Sequence, residues 1–153
     1  MSDGSAGRLA VADRVRAAAL GWVGTPYRHQ GSRKGVGCDC LGLVLGVWRE
    51  VYGAPPEAAP AYARDWAEIA GDPLLDAARR HCVERMEGEA RPGDLVLFRW
   101  RSGMAARHVA ILLDRDRIVH ACEGRAVIVT RLVPQWRRRI AGIFAFPDTP
   151  PGN

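Results

Sequence analysis

Residues 37–53 read GCDCLGLVLGVWREVYG, and the rest of the chain is interpreted outward from them. Leu41, Val44, Leu45, Trp48 and Val51 recur at three- and four-residue spacing, which predicts a helix over 39–52 with one buried stripe. Asp39 stands where an N-cap belongs, and Gly53 supplies the stop. Cys40 therefore falls in the first turn. There the unpaired N–H groups and the positive end of the helix dipole favour thiolate over thiol. The same N–H groups can donate to an oxyanion formed when a carbonyl is attacked.

Upstream, Leu9, Ala12, Val15, Ala19 and Trp22 mark an amphipathic helix from Arg8 to Val23, stopped by Gly24, Thr25 and Pro26. A glycine-rich loop follows from Tyr27 to Gly37. Downstream, APPEAAPAY (54–62) reads as a proline-rich connection, with short helical pieces near 64–70 and from Pro73 to about His81. Asp72 followed by Pro73 is a start signal for the second piece. After Gly93 the periodicity changes. LVLF (95–98), HVAILL (108–113), RIVHA (117–121), AVIVT (126–130) and IFAF (143–146) are short β-branched and aromatic runs between turn residues. Helices first and an antiparallel sheet second predict an α+β fold. A single domain is expected over 1–153, with its core at about 8–147 and short flexible termini.

Composition narrows the function classes. Apolar residues make up 48% and charged residues 25%, which fits a packed globular chain rather than a disordered one. The net charge of +5 is compatible with anionic cell-wall polymers, nucleic acid or an acidic partner, and does not choose among them. No stretch reaches the roughly 20 apolar residues of a membrane span. The N-terminus carries Asp3 and Asp13 and no apolar run fit for a signal peptide, so synthesis in a cytoplasm without its own export route is expected. Four cysteines are few for a disulfide scaffold.

A thiolate at Cys40 needs a base, and His108 and His120 are the candidates. The runs 108–113 and 117–121 flank the turn Asp114–Arg115–Asp116. With the hairpin pivoting at Asp114, His108 and His120 would lie directly opposite, their Cβ atoms about 4.5–5.5 Å apart. One imidazole would then orient the other, which is the logic of a nucleophile, base and orienter. A one-residue slip would send the rings to opposite faces.

GTPYRHQG (24–31), GCDCLGLV (37–44), RPGDLVLF (91–98) and RHVAILLDRDRIVHA (107–121) together resemble, in order, the successive signatures of the NlpC-type cell-wall peptidases. The resemblance implies a minimal papain-like fold, with the cysteine helix packed on a small antiparallel sheet. It implies Cys40 as nucleophile, His108 as base and His120 as the third polar residue. Tyr27 matches a tyrosine that helps bind the carbonyl oxygen, and Asp39 accompanies it beside the nucleophile. The implied activity is hydrolysis of amide bonds in peptidoglycan stem peptides, commonly between D-glutamate and a diamino acid, with no cofactor. Most members follow the cysteine with serine, whereas this chain has Leu41. The GCDCLGLV version resembles the phage and gene-transfer-agent branch. That branch implies tail-tip or baseplate partners and a virion-associated setting.

Plainer readings stand beside these. Asp39 suits a helix cap better than a catalytic acid. Cys38 with Cys40, His108 and His120 could form a zinc set, but structural zinc sites space paired cysteines by two or more residues. Cys38 is expected to pack under the glycine loop instead, and Cys82 and Cys122 to be buried bystanders. His29 and His81 suit exposed or capping roles, with His29 near the loop that lines the cleft. Arg137–Arg138–Arg139, with only Trp136 interleaved, reads as a solvated or partner-facing segment rather than a nucleic-acid patch. The five tryptophans suit core packing or an interface.

Overall fold

The computed structural model describes residues 10–54 and 71–148. Helix α1 (Val11–Gly21) is followed by two-residue strands β1 (Ser32–Arg33) and β2 (Gly37–Cys38), then helices α2 (Cys40–Tyr52) and α3 (Pro73–His81). The remaining elements are β3 (Val83–Arg85), a 3-10 turn (Glu87–Glu89), β4 (Leu95–Phe98), β5 (His108–Leu112), β6 (Arg117–Ala121), β7 (Val127–Arg131), a one-turn helix α4 (Pro134–Arg137) and β8 (Ile140–Ala145). β3 to β8 form one antiparallel sheet in the order β3-β8-β4-β5-β6-β7, and β1 and β2 pair separately. The α+β arrangement read from the sequence is the one found. The helical piece expected near 64–70, and the proline-rich connection from residue 55 onward, lie outside the described residues.

The centre of the molecule is α2. Its start is fixed by Asp39, whose Oδ1 accepts a hydrogen bond from the Gly42 N–H at 2.8 Å, and its end by Gly53. Leu43, Val44, Val47, Trp48 and Val51 are buried, while Leu41 and Leu45 are only half-buried. The buried face is thus broader than the predicted stripe and rotated from it, because both α1 and the sheet cover the helix. Glycines permit that coverage. A Cβ at Gly46 would lie 2.0 Å from the Trp22 ring, and one at Gly42 would lie 1.7 Å from the Gly31 carbonyl oxygen. Each fully buried aliphatic or aromatic side chain in this layer contributes about 1.5–3 kcal/mol.

Alternation along the central strands builds a second apolar layer. Leu95, Leu97, Val109, Ile111 and Val119 join α1 and α2 in the main core. Val96, Phe98, Ala110, Leu112 and Ile118 face the other way together with Ile143 of β8, where Leu132 and Trp136 pack with them. Two strand readings change. β8 begins at Ile140 rather than Ile143, because Ile140 and Gly142 pair with Phe98 and Leu97. β3, three residues long, is too short to announce itself by periodicity and exists through pairing with β8. No helix among the described residues is long and apolar enough to cross a membrane.

Candidate functional site

Cys40 is the first residue of α2, directly after the cap. The Asp39 carboxylate is buried and committed to backbone donors. Its Oδ1 closes the helix end, and its Oδ2 accepts from the Gln30 N–H at 2.7 Å. This second bond ties the loop after Tyr27 to the helix and holds Gln30 at a left-handed φ of 65°. The exposed His29 reaches toward the same carboxylate, its Nδ1 4.0 Å from Oδ2. Asp39 thus has the geometry of a cap and loop anchor.

The Cys40 thiol is pushed up to about 12, by burial first and by the Asp39 carboxylate second. Backbone N–H groups of Val109, Leu41 and Cys40 itself donate toward the sulfur and act in the opposite direction. The helix start was expected to favour thiolate. Its donors are present, but desolvation outweighs them, so the resting group is a thiol. Tyr27 is half-buried beside it. Burial first, then the charge that a Cys40 thiolate would carry and that of the Asp39 carboxylate, raises its phenol to about 12, so the hydroxyl is a donor at neutral pH.

His108, the first residue of β5, places its Nε2 2.9 Å from His120 Nδ1. His120 Nε2 in turn lies 2.9 Å from Thr130 Oγ1. With Nε2 engaged, Nδ1 is the nitrogen of His108 left to serve as a base. For Nδ1 to accept a proton, Nε2–H must donate to His120 Nδ1 and His120 Nε2–H must donate to Thr130. Burial holds both imidazoles well below the usual histidine value, and the neighbouring His120 lowers His108 further.

The hairpin register differs from the expected one. Ile111 pairs with Val119 and Leu112 with Ile118, so the turn centres on Arg115 rather than Asp114. His108 is therefore diagonal to His120, not opposite. A two-residue shift preserves the face, and diagonal neighbours about 7–8 Å apart remain within reach of rings. The same arithmetic locates Thr130, to which the sequence reading gave no role. His120 lies opposite Ile128 across a turn centred on Gly124, which puts Thr130 on the same face and diagonal to His120.

Aromatic rings wall off the histidines. Trp100 stacks on His108 at 5.8 Å and 23°, and Trp136 packs against His108 at 5.7 Å and His120 at 5.8 Å. Trp22 and Trp48 do belong to the core, but Trp100 and Trp136 line the cleft, contrary to the general expectation for the tryptophans. That cleft has a volume of about 550 Å³. Tyr27, Asp39 and Cys40 form its helix side, His108 and His120 its sheet side, and Arg107 and Glu123 also line it. All five residues singled out from the sequence share this one space. Cys38 is fully buried in the main core. Cys82 and Cys122 are half-buried rather than buried, and Cys122 lines the cleft, because it follows the last residue of β6 and so reaches the open strand end. Among the described residues no group of three His, Cys, Asp or Glu side chains is placed to hold a metal ion.

A comparison with protein families matches residues 24–144 to the NlpC/P60 family. The chain belongs to that family. Murein DD-endopeptidase MepS/murein LD-carboxypeptidase of Escherichia coli K12 is 32% identical over 130 residues, covering 84% of this chain and 60% of that protein. The chain thus spans about three fifths of the length of this curated relative. The NlpC/P60 domain of the peptidoglycan hydrolase SagA superposes with a TM-score of 0.61 at 27% identity, covering 88% of this chain and 98% of that one. RipD of Mycobacterium tuberculosis, described as a non-catalytic NlpC/P60 domain adapted to peptidoglycan binding, shares the fold at a TM-score of 0.58 and 17% identity, over 90% of this chain and 98% of its own. The fold of this NlpC/P60 chain is accordingly the small α+β papain-like one.

Proposed function

We propose that this NlpC/P60 domain is a cysteine peptidase that hydrolyses amide bonds in peptidoglycan stem peptides, D-glutamyl–diamino acid bonds in particular. The observation that carries the reading is that His108 and His120, hydrogen-bonded in series with Thr130 behind them, share one cleft with a cysteine at a helix start. In the reaction, Cys40 Sγ attacks the scissile carbonyl carbon while its proton passes to His108 Nδ1. The Cys40 N–H and the Tyr27 hydroxyl donate to the oxyanion. The intermediate collapses, the C–N bond breaks, and His108 returns the proton to the departing amine. Water, deprotonated by His108, then attacks the thioester, the C–S bond breaks to release the acid, and His108 returns the proton to the Cys40 sulfur. Because burial raises the Cys40 thiol and holds down the His108 imidazole that shares its cleft, proton transfer is coupled to substrate arrival rather than completed beforehand.

Purified protein is expected to release soluble peptides from peptidoglycan sacculi, and Cys40→Ala to reduce that release to background. Equal release by the variant would sink the assignment. The setting proposed for this activity is a phage-like tail tip that opens the wall during DNA delivery, supported by the GCDCLGLV motif. A mainly structural tail component is the second reading, favoured by the high position of the Cys40 thiol and by the existence of a non-catalytic relative of this fold. Digestion of sacculi separates the two, since a structural component would release no more peptide than its own Cys40→Ala variant.

A further inference from the structure

Four arginines among the described residues are half-buried: Arg16, Arg85, Arg99 and Arg107. Three of them are engaged. Arg16 donates to the Leu113 carbonyl at 2.8 Å, Arg85 pairs with Asp94 at 2.8 Å, and Arg99 donates to the Met104 carbonyl at 2.9 Å. Arg107 has no side-chain partner among the described residues, yet it lines the catalytic cleft immediately before His108. Its backbone is fixed, the N–H donating to the Phe98 carbonyl at 2.9 Å. A guanidinium partly withdrawn from water and left unpaired pays desolvation without return, unless an anion completes it. Its planar fork matches a carboxylate with two parallel N–H donors.

We propose that Arg107 is a specificity-determining residue that binds a free carboxylate on the substrate residue beside the scissile amide. This rests on the peptidoglycan peptidase reading and deepens it. A stem peptide linked through a side-chain carboxyl leaves the α-carboxylate of the same residue free and a few bonds from the attacked carbonyl. Arg107 adjoins the proposed base, so it is placed for a group at that short range. The cleft also holds two carboxylates: Asp39, buried and spent on the Gln30 and Gly42 N–H groups, and Glu123, exposed beyond the end of β6, which disfavours an anion on its own side. Arg107 and Glu123 give the cleft a direction. The enzyme therefore distinguishes stem peptides carrying the free carboxylate from those in which it is amidated.

The test uses two synthetic stem peptides that differ only in that carboxylate and its carboxamide. Wild-type protein is expected to cleave the carboxylate form with kcat/KM higher by about ten- to a hundredfold, the range of a charge-assisted pair. Arg107→Gln is expected to cleave both forms equally, and Arg107→Lys to keep part of the preference. Calorimetric titration of both peptides into Cys40→Ala protein, with and without R107Q, reads the same discrimination without turnover. Preference in binding that vanishes with R107Q supports the proposal even where no cleavage is seen, an outcome that would instead count against the peptidase reading. Equal handling of the two peptides by wild-type protein, a preference that survives R107Q, or binding of neither peptide overturns it.

Discussion

The two walls of the cleft are built by different means. On the helix wall, position is set by backbone. Asp39 holds two main-chain N–H groups, the Gly31 carbonyl presses on Gly42, and Cys40 follows wherever that end of α2 is placed. On the sheet wall, β5 and β6 bring His108 and His120 only to diagonal positions, and side chains finish the arrangement: Thr130 at one end, Trp100 and Trp136 over the faces. Backbone contacts have no slack, because a carbonyl cannot rotate away from a new methyl group. Side-chain contacts can be weakened by degrees. The helix wall is expected to fail by unfolding, and the sheet wall by losing rate.

The hardest test of that contrast is Gly42→Ala. The added Cβ would sit 1.7 Å from the Gly31 oxygen, so either the loop or the helix start must move. A loss of about 3 kcal/mol or more is expected, at the upper end for a single methyl group. Urea denaturation checks it. A midpoint equal to wild type would show the loop to be free of the helix and would remove the basis of the comparison.

The helix wall was also the more legible in the sequence. Asp39, the apolar spacing and Gly53 mark α2 without help from any distant residue, because caps and stripes are local signals. The sheet wall was legible in parity only. Residues 108 and 120 share a face under any even shift, but the register depends on whether Asp114 or Arg115 centres the turn, and the composition of three polar residues does not say. Thr130 needed a second register, from β6 to β7, although the Glu123–Gly124 turn held the clue. Trp100 and Trp136 reach the histidines from outside the strands that carry them, and nothing in their spacing announces it. Arg107 was invisible as a binding residue, since an unpaired guanidinium is defined by what does not surround it.

The walls also divide the pH response. Folded His108 and His120 bind protons less readily than in the unfolded chain, whose histidines titrate near 6.5. As pH falls below that value the unfolded state gains protons first, so stability present above 6.5 is lost on acidification. Folded Cys40 binds its proton more tightly, at about 12 against 9.0, as does the buried Cys38. Their contribution is complete below pH 9 and is lost as pH rises toward 12. Denaturation midpoints should therefore form a plateau between the two limbs. His108→Gln with His120→Gln should flatten the limb between about pH 7 and 5, above the carboxylate range, while leaving the alkaline limb in place. An acid limb of unchanged slope in the double variant would assign the effect to other groups.

The smallest change expected to register is Thr130→Val, which keeps the shape of the side chain and deletes the hydroxyl. His120 then loses the acceptor that keeps hydrogen on its Nε2. The alternative tautomer carries hydrogen on Nδ1, which points at His108 Nε2 and forces that nitrogen to accept. His108 would then hold its own hydrogen on Nδ1, facing the cleft as a donor, and could not take the thiol proton. The two tautomers differ by about one hydrogen bond, or 0.5–1.5 kcal/mol, so only part of the population is lost and kcat should fall by roughly tenfold or less. KM should stay level, because no substrate contact is removed, and stability should fall by about 1 kcal/mol at most. Thr130→Ser, which restores the oxygen, should recover most of the rate. A Val variant as fast as wild type would mean that His120 is held by His108 alone, and that the sheet wall is rigid enough without its third member.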